Sequence, residues 1–172
     1  QDLSILGNQI KIEFYENRIE ISNPGTPIID VWRFYDTNRT RNLKLASNMN
    51  KFGICEELGS GIDKIVEISE IEKRFTPQYI IYDGQYTTVK LFRNREFENM
   101  SEDEKLNILY YHCCYSYTLE KYMTNSSIRE RFMLNNTNAD SKKITRLINK
   151  ALSYNLIKQG VNKTYIPFWG YC

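Results

Sequence analysis

The chain has 172 residues, 41% hydrophobic and 26% charged, and carries a formal net charge of +2. That length holds one large domain or two small ones. No run approaches the roughly 18 apolar residues that a membrane-spanning helix needs, and no basic stretch leads into an apolar one as in a signal peptide. A cytoplasmic protein with no membrane partner is therefore expected, and a chain that opens on Gln1 is expected to be a piece of a longer one.

Cys55, Cys113, Cys114 and Cys172 show no C-x-x-C spacing, and His112 is the single histidine. Free thiols buried in a reducing compartment, with no metal site, are the plain reading. Charge is uneven along the chain: residues 1–100 hold 13 Lys/Arg against 15 Asp/Glu, and residues 101–172 hold 10 against 6. A basic C-terminal surplus is a weak footprint of nucleic-acid contact, and a solvated helical face would look the same on charge alone.

In chain order, Ile10, Ile12 and Phe14 alternate with Lys11, Glu13 and Tyr15, and Ile19 and Ile21 flank Glu20. This period of two, with Glu16-Asn17 between the runs, predicts a β-hairpin with one buried face. Asn23-Pro24-Gly25-Thr26-Pro27 is expected to leave the sheet, because proline removes a ladder donor. Residues 28–40 have no clean period and read as a connection carrying Trp32, Phe34 and Tyr35 toward a core.

Leu45, Ala46, Met49 and Phe52 share one side of a predicted helix, which should face a core, and Gly53 suits its end. A second helix is predicted from about Ser60, with Ile65, Val66 and Ile68 in its period. Gly59, Ser60 and Gly61 at that helix start leave bare N–H groups that can cradle a phosphate; a tight helix start packed on a strand explains them equally well. Runs at 78–82 and 85–92 flank Asp83-Gly84, a strong hairpin signal.

Residues 93–100 read as a charged linker. Ser101-x-x-Glu104 is a capping box that opens a helix with Leu106, Leu109, Tyr110 and Cys113 on its stripe. Thr124 or Asn125 caps the next, which carries Ile128, Phe132 and Met133. A third helix, from about Asp140 to Tyr154, has Ile144, Leu147, Ile148 and Ala151 inside, and two short β runs follow around 160–163. Three helices and a β-hairpin are in the order of a winged helix, whose third helix enters the DNA major groove. Lys142, Lys143, Thr145, Arg146 and Asn149 on that helix, with Lys163 on the wing, are the candidate DNA-binding residues.

Arg41-Asn42 with Leu45-Ala46, followed by the run from Gly53 through EELGSGIDKI to Ile65, resembles the C-terminal part of RecG-like transcriptional regulators. The resemblance spans roughly Ile10 to Phe92. It implies a degenerate GHKL ATPase-like domain that usually follows a Schlafen/AlbA-type domain, often with a winged helix behind it. It also implies that Asn23-Pro24-Gly25 stands where other GHKL proteins keep a glycine-bearing box whose aspartate reads adenine, and no aspartate occupies it here. The Mg²⁺-holding residues of intact relatives lie upstream of the first hairpin, so no catalytic residue is assigned.

Together these features predict an α+β fold. A small mixed sheet of two hairpins with two covering helices (1–92, a degenerate GHKL-like half domain) is followed by a linker and a C-terminal winged-helix domain (101–172). A non-catalytic DNA-binding regulator fragment is the leading function. Its expected partners are double-stranded DNA, the missing N-terminal domain of the same chain and a second copy of itself. ATP with Mg²⁺ bound at Gly59, Ser60 and Gly61 is the alternative to a chain with no cofactor, and an interaction or dimerisation module is the third reading. His112 is expected in packing rather than acid/base work.

Overall fold

The computed structural model describes residues 9–54 and 60–171, which fall into two compact units. The first reaches up to Ile65 and resumes over Pro77–Arg93; the second is made of Val66–Thr76 and the chain from Asn94 on. The architecture is α+β, with small antiparallel sheets and five α-helices among the described residues. Among the described residues no helix is long and apolar enough to cross a membrane.

In the first unit, β1 (Lys11–Phe14), β2 (Arg18–Pro24), β3 (Gln78–Tyr82) and β4 (Tyr86–Phe92) form one sheet in the order β1-β2-β4-β3. Every pairing is antiparallel, so the sheet is not mixed: two hairpins join through β2 and β4. Both predicted turns form. Tyr15 N–H donates to Arg18 O at 2.8 Å across Glu16-Asn17. Asp83 and Gly84 take φ of 50° and 64°, the two left-handed positions a tight hairpin of matching twist requires.

Strand β2 runs further than proline chemistry suggested, pairing Pro24 with Tyr86. Gly25 N–H donates to Gln85 O at 2.6 Å, so by the antiparallel alternation the nitrogen of Pro24 points away from β4, to the side where β1 has already ended. Its missing donor therefore costs no ladder bond.

The apolar face of this sheet is less covered than predicted. Ile12, Ile21, Val89 and Tyr79 lie in one cross-strand row, with Phe34 edge-on to Tyr79 at 5.0 Å. Burial pushes the Tyr79 phenol up to about 12. At the β1 end, however, Ile12 is 55% and Phe14 77% exposed. The fully buried strand residue is Thr88, on the polar face, where its hydroxyl meets that of Ser22 at 2.7 Å. Beside it Glu20 is bracketed by Arg18 and Lys90.

Helix α1 (Leu43–Lys51) ends as predicted. Gly53 sits at φ 65°, with Gly53 N–H on Asn50 O and Ile54 N–H on Met49 O. Its predicted stripe is not a buried one: no residue of α1 is buried, Leu45 and Phe52 are 47% and 78% exposed, and Ala46 and Met49 are half-buried. Helix α2 (Ser60–Ile71) also turns differently from its isoleucines: Ile65 and Ile68 are exposed while Val66 and Ser69 are buried.

The second unit has helices α3 (Glu102–Thr118), α4 (Asn125–Arg131) and α5 (Asn138–Ser153), then a hairpin of β5 (Ile157–Gln159) and β6 (Tyr165–Pro167). The capping box at α3 is present: Ser101 Oγ accepts from Glu104 N–H, and Glu104 accepts from Ser101 N–H at 2.7 Å. Helix α3 is central. Besides Leu106, Leu109, Tyr110 and Cys113 it buries Ile108, Tyr111 and Cys114, so it is covered on most sides rather than along one stripe. Cys113 and Cys114 are free and buried, and burial, with the neighbouring Cys114, pushes the Cys113 thiol up. Thr124 caps α4 and Ile128 is buried, whereas Met133, expected inside, sits at φ 55° just past the helix and is exposed. Helix α5 buries Ile144, Leu147, Ile148 and Ala151 as its period predicts.

Candidate nucleic-acid interface and a basic cleft

The buried stripe of α5 fixes which residues lie opposite. Ile144, Leu147, Ile148 and Ala151 are turned into the unit, so Lys142, Thr145, Arg146 and Asn149, one to two positions away on a 3.6-residue period, face out and are exposed. Among the described residues neither Lys142 nor Arg146 forms an ion pair. The Thr145 hydroxyl donates to Ser141 O at 2.8 Å and accepts from Asn125 Nδ2 at 3.0 Å, which ties the start of α4 to this face. Lys143 is differently placed: its ammonium lies 2.6 Å from Glu98 and 3.1 Å from Asp140, and these hydrogen bonds hold it above its usual range. It is committed inside the unit.

The hairpin tip is built by Val161, Asn162 and Lys163, the last two at φ 54° and 59°. Thr164 N–H donates to Val161 O and Gly160 N–H to Thr164 O, closing the turn. Lys163 is fully out in solvent, and Lys158 on β5 is exposed behind it.

Of the predicted phosphate cradle, Gly59 lies outside the described residues, as do Glu56 and Glu57. Ser60 and Gly61 begin α2, and a Cβ at Gly61 would meet nothing within 4 Å, so no close packing requires glycine there. The first unit does hold a cleft of about 480 Å³ that reaches Ile62 in the first turn of α2. Its walls come from the Asn23–Ile29 turn, Phe34 and residues 37–42. Arg39 and Arg41 line it, no carboxylate does among the described residues, and Arg41 is braced by donating to Thr26 O. Such a cleft suits an anion attached to an apolar or planar group. No Asp or Glu side chain is described in its lining, and no cluster of three or more His, Cys, Asp or Glu side chains among the described residues could hold a metal.

A polar centre that sequence reasoning missed lies within the second unit. Glu70, on the last turn of α2, accepts from Arg131 Nε at 2.8 Å and lies 2.7 Å from His112 Nδ1; His112 Nε2 is 3.1 Å from Ser127 Oγ. The Glu70 and Arg131 side chains are 5% and 4% exposed. The only signal was that Arg131 falls among apolar positions of α4, where a buried guanidinium must find a carboxylate. His112 is packed, as expected, though by hydrogen bonds rather than by rings.

Comparison with known proteins bears on the first unit. Residues 7–91 match the family described as "Putative ATP-dependent DNA helicase recG C-terminal", in agreement with the RecG-like resemblance of that segment. No curated protein matches. Among solved structures, the crystal structure of the DIP2311 protein from Corynebacterium diphtheriae is similar at 14% identity with a TM-score of 0.47. The alignment covers 93% of this chain and 36% of that one, so the chain spans about a third of its length.

Proposed function

We propose that helices α3, α4 and α5 with the β5–β6 hairpin act as a winged helix that binds double-stranded DNA, as part of a non-catalytic regulator. The observation that carries this reading is the outward face of α5. Lys142 and Arg146 recur one turn apart beside Thr145 and Asn149, and a basic hairpin tip at Lys163 belongs to the same unit. Arginine and asparagine are the side chains suited to base edges, and lysine to phosphates. The test is fluorescence anisotropy with a labelled duplex at low salt. The chain should bind, Arg146→Ala and Lys142→Ala should each weaken binding about tenfold, by the roughly 1–3 kcal/mol that a good base contact contributes, and absence of binding by the unaltered chain refutes the proposal.

A second reading rests on the family match and the basic cleft: the first unit holds a nucleotide without hydrolysing it. Arg39 and Arg41 would face its phosphates, and no described residue of the lining supplies a carboxylate for metal-assisted attack by water. ATP should raise the melting temperature equally with and without Mg²⁺, and Arg39→Ala should abolish the shift. A shift that needs Mg²⁺ would contradict the non-hydrolytic form of this reading.

A further inference from the structure

We propose that β1 is a self-complementary edge through which two copies of this chain associate, pairing antiparallel about a dyad at Ile12. Strand β1 pairs with β2 on one side, and among the described residues nothing pairs with it on the other. The Tyr15 to Arg18 hydrogen bond at the hairpin sets the phase of the β1–β2 ladder. By the antiparallel alternation, Glu13 and Lys11 turn their N–H and C=O groups toward β2, while Phe14 and Ile12 turn theirs to the open edge; carrying the alternation one residue past the strand puts Ile10 with them.

A second copy laid along that edge with Ile12 opposite Ile12 meets these free groups in register. Ile10 then lies opposite Phe14, and Lys11 opposite Glu13 on the other face. The apolar pair gains from burial, since Ile10, Ile12 and Phe14 are 52%, 55% and 77% exposed in the single chain. The Lys11–Glu13 pair falls at the close, non-hydrogen-bonded spacing, where opposite charges stabilise most. Within the chain Lys11 lies 2.8 Å from Glu13 and Glu20 is already paired with Arg18 and Lys90, so the dyad exchanges the intrachain Lys11–Glu13 pair for two such pairs between copies.

Other registers are worse. A slip of one residue sets Ile12 against Glu13, and a slip of two sets Lys11 against Lys11 or Glu13 against Glu13. The charges on β1 therefore select one alignment as well as blunting the edge against unrelated strands.

Sedimentation equilibrium on the full chain tests this. The unaltered chain should move from monomer to twice that mass as concentration rises. Lys11→Glu, at an exposed side chain, and Glu13→Lys, at a half-buried one, should each remain monomeric. Mixing the two single variants should restore association, because a copy with two glutamates then meets one with two lysines; the double variant K11E/E13K should also associate. A chain that stays monomeric, or single variants that dimerise as well as the unaltered chain, overturns the proposal.

Discussion

Glu70 serves two partners from one buried carboxylate, and the energetic consequence falls on Arg131. A guanidinium only 4% exposed is costly to bury unless a carboxylate stands against it. Removing Glu70 leaves that charge unpaired and strips His112 Nδ1 of its acceptor. Glu70→Ala should therefore cost about 3–5 kcal/mol in urea unfolding followed by circular dichroism. Adding Arg131→Met should recover part of the loss, because the stranded charge is then gone and an apolar side chain of similar length fills its place. A loss under about 1 kcal/mol for Glu70→Ala would mean that water reaches Arg131. The identity of that carboxylate was not visible in the sequence. Glu70 and Arg131 are 61 positions apart, and no helical or strand period relates residues at that separation.

At the scale of elements, sequence was legible wherever one residue type answered one local demand. Asp83-Gly84 supplied two left-handed positions, Ser101 and Glu104 closed a helix start, and Ile144 through Ala151 chose the inner face of α5. It failed where burial depended on what lies opposite: no residue of the apolar stripe of α1 is buried, and α2 turned Val66 and Ser69 inward rather than its isoleucines. The start of α5 carries a local device with a pH signature. Hydrogen bonds from Lys143 and then from the Thr137 hydroxyl hold the Asp140 carboxyl below its usual range. A depressed folded-state value means that the stabilisation is present above the ordinary carboxylate range and is lost as pH falls through the lowered one. Melting temperature should thus fall on acidification, and Asp140→Asn should flatten the part of that fall due to this group. An unchanged pH profile in the variant would show that Asp140 does not report on folding.

For the molecule as a whole, the proposed DNA contact makes a prediction that separates its lysines by their existing commitments. Phosphate contact releases counterions, so log affinity falls linearly with log salt at about 0.9 per phosphate neutralised. Lys142 on α5 and Lys163 at the hairpin tip are exposed, and each should contribute one such contact. Lys143, three positions before Arg146 on the same helix, already serves Glu98 and Asp140. Net charge drops by one in all three alanine variants, so a nonspecific attraction to a mildly basic chain would lower the slope equally in each. Oriented binding instead predicts that Lys142→Ala and Lys163→Ala each reduce the slope by about 1, while Lys143→Ala leaves it unchanged. Anisotropy titrations at several salt concentrations read this directly. Equal slopes for Lys143→Ala and Lys142→Ala would remove α5 from the interface even if the chain binds DNA tightly.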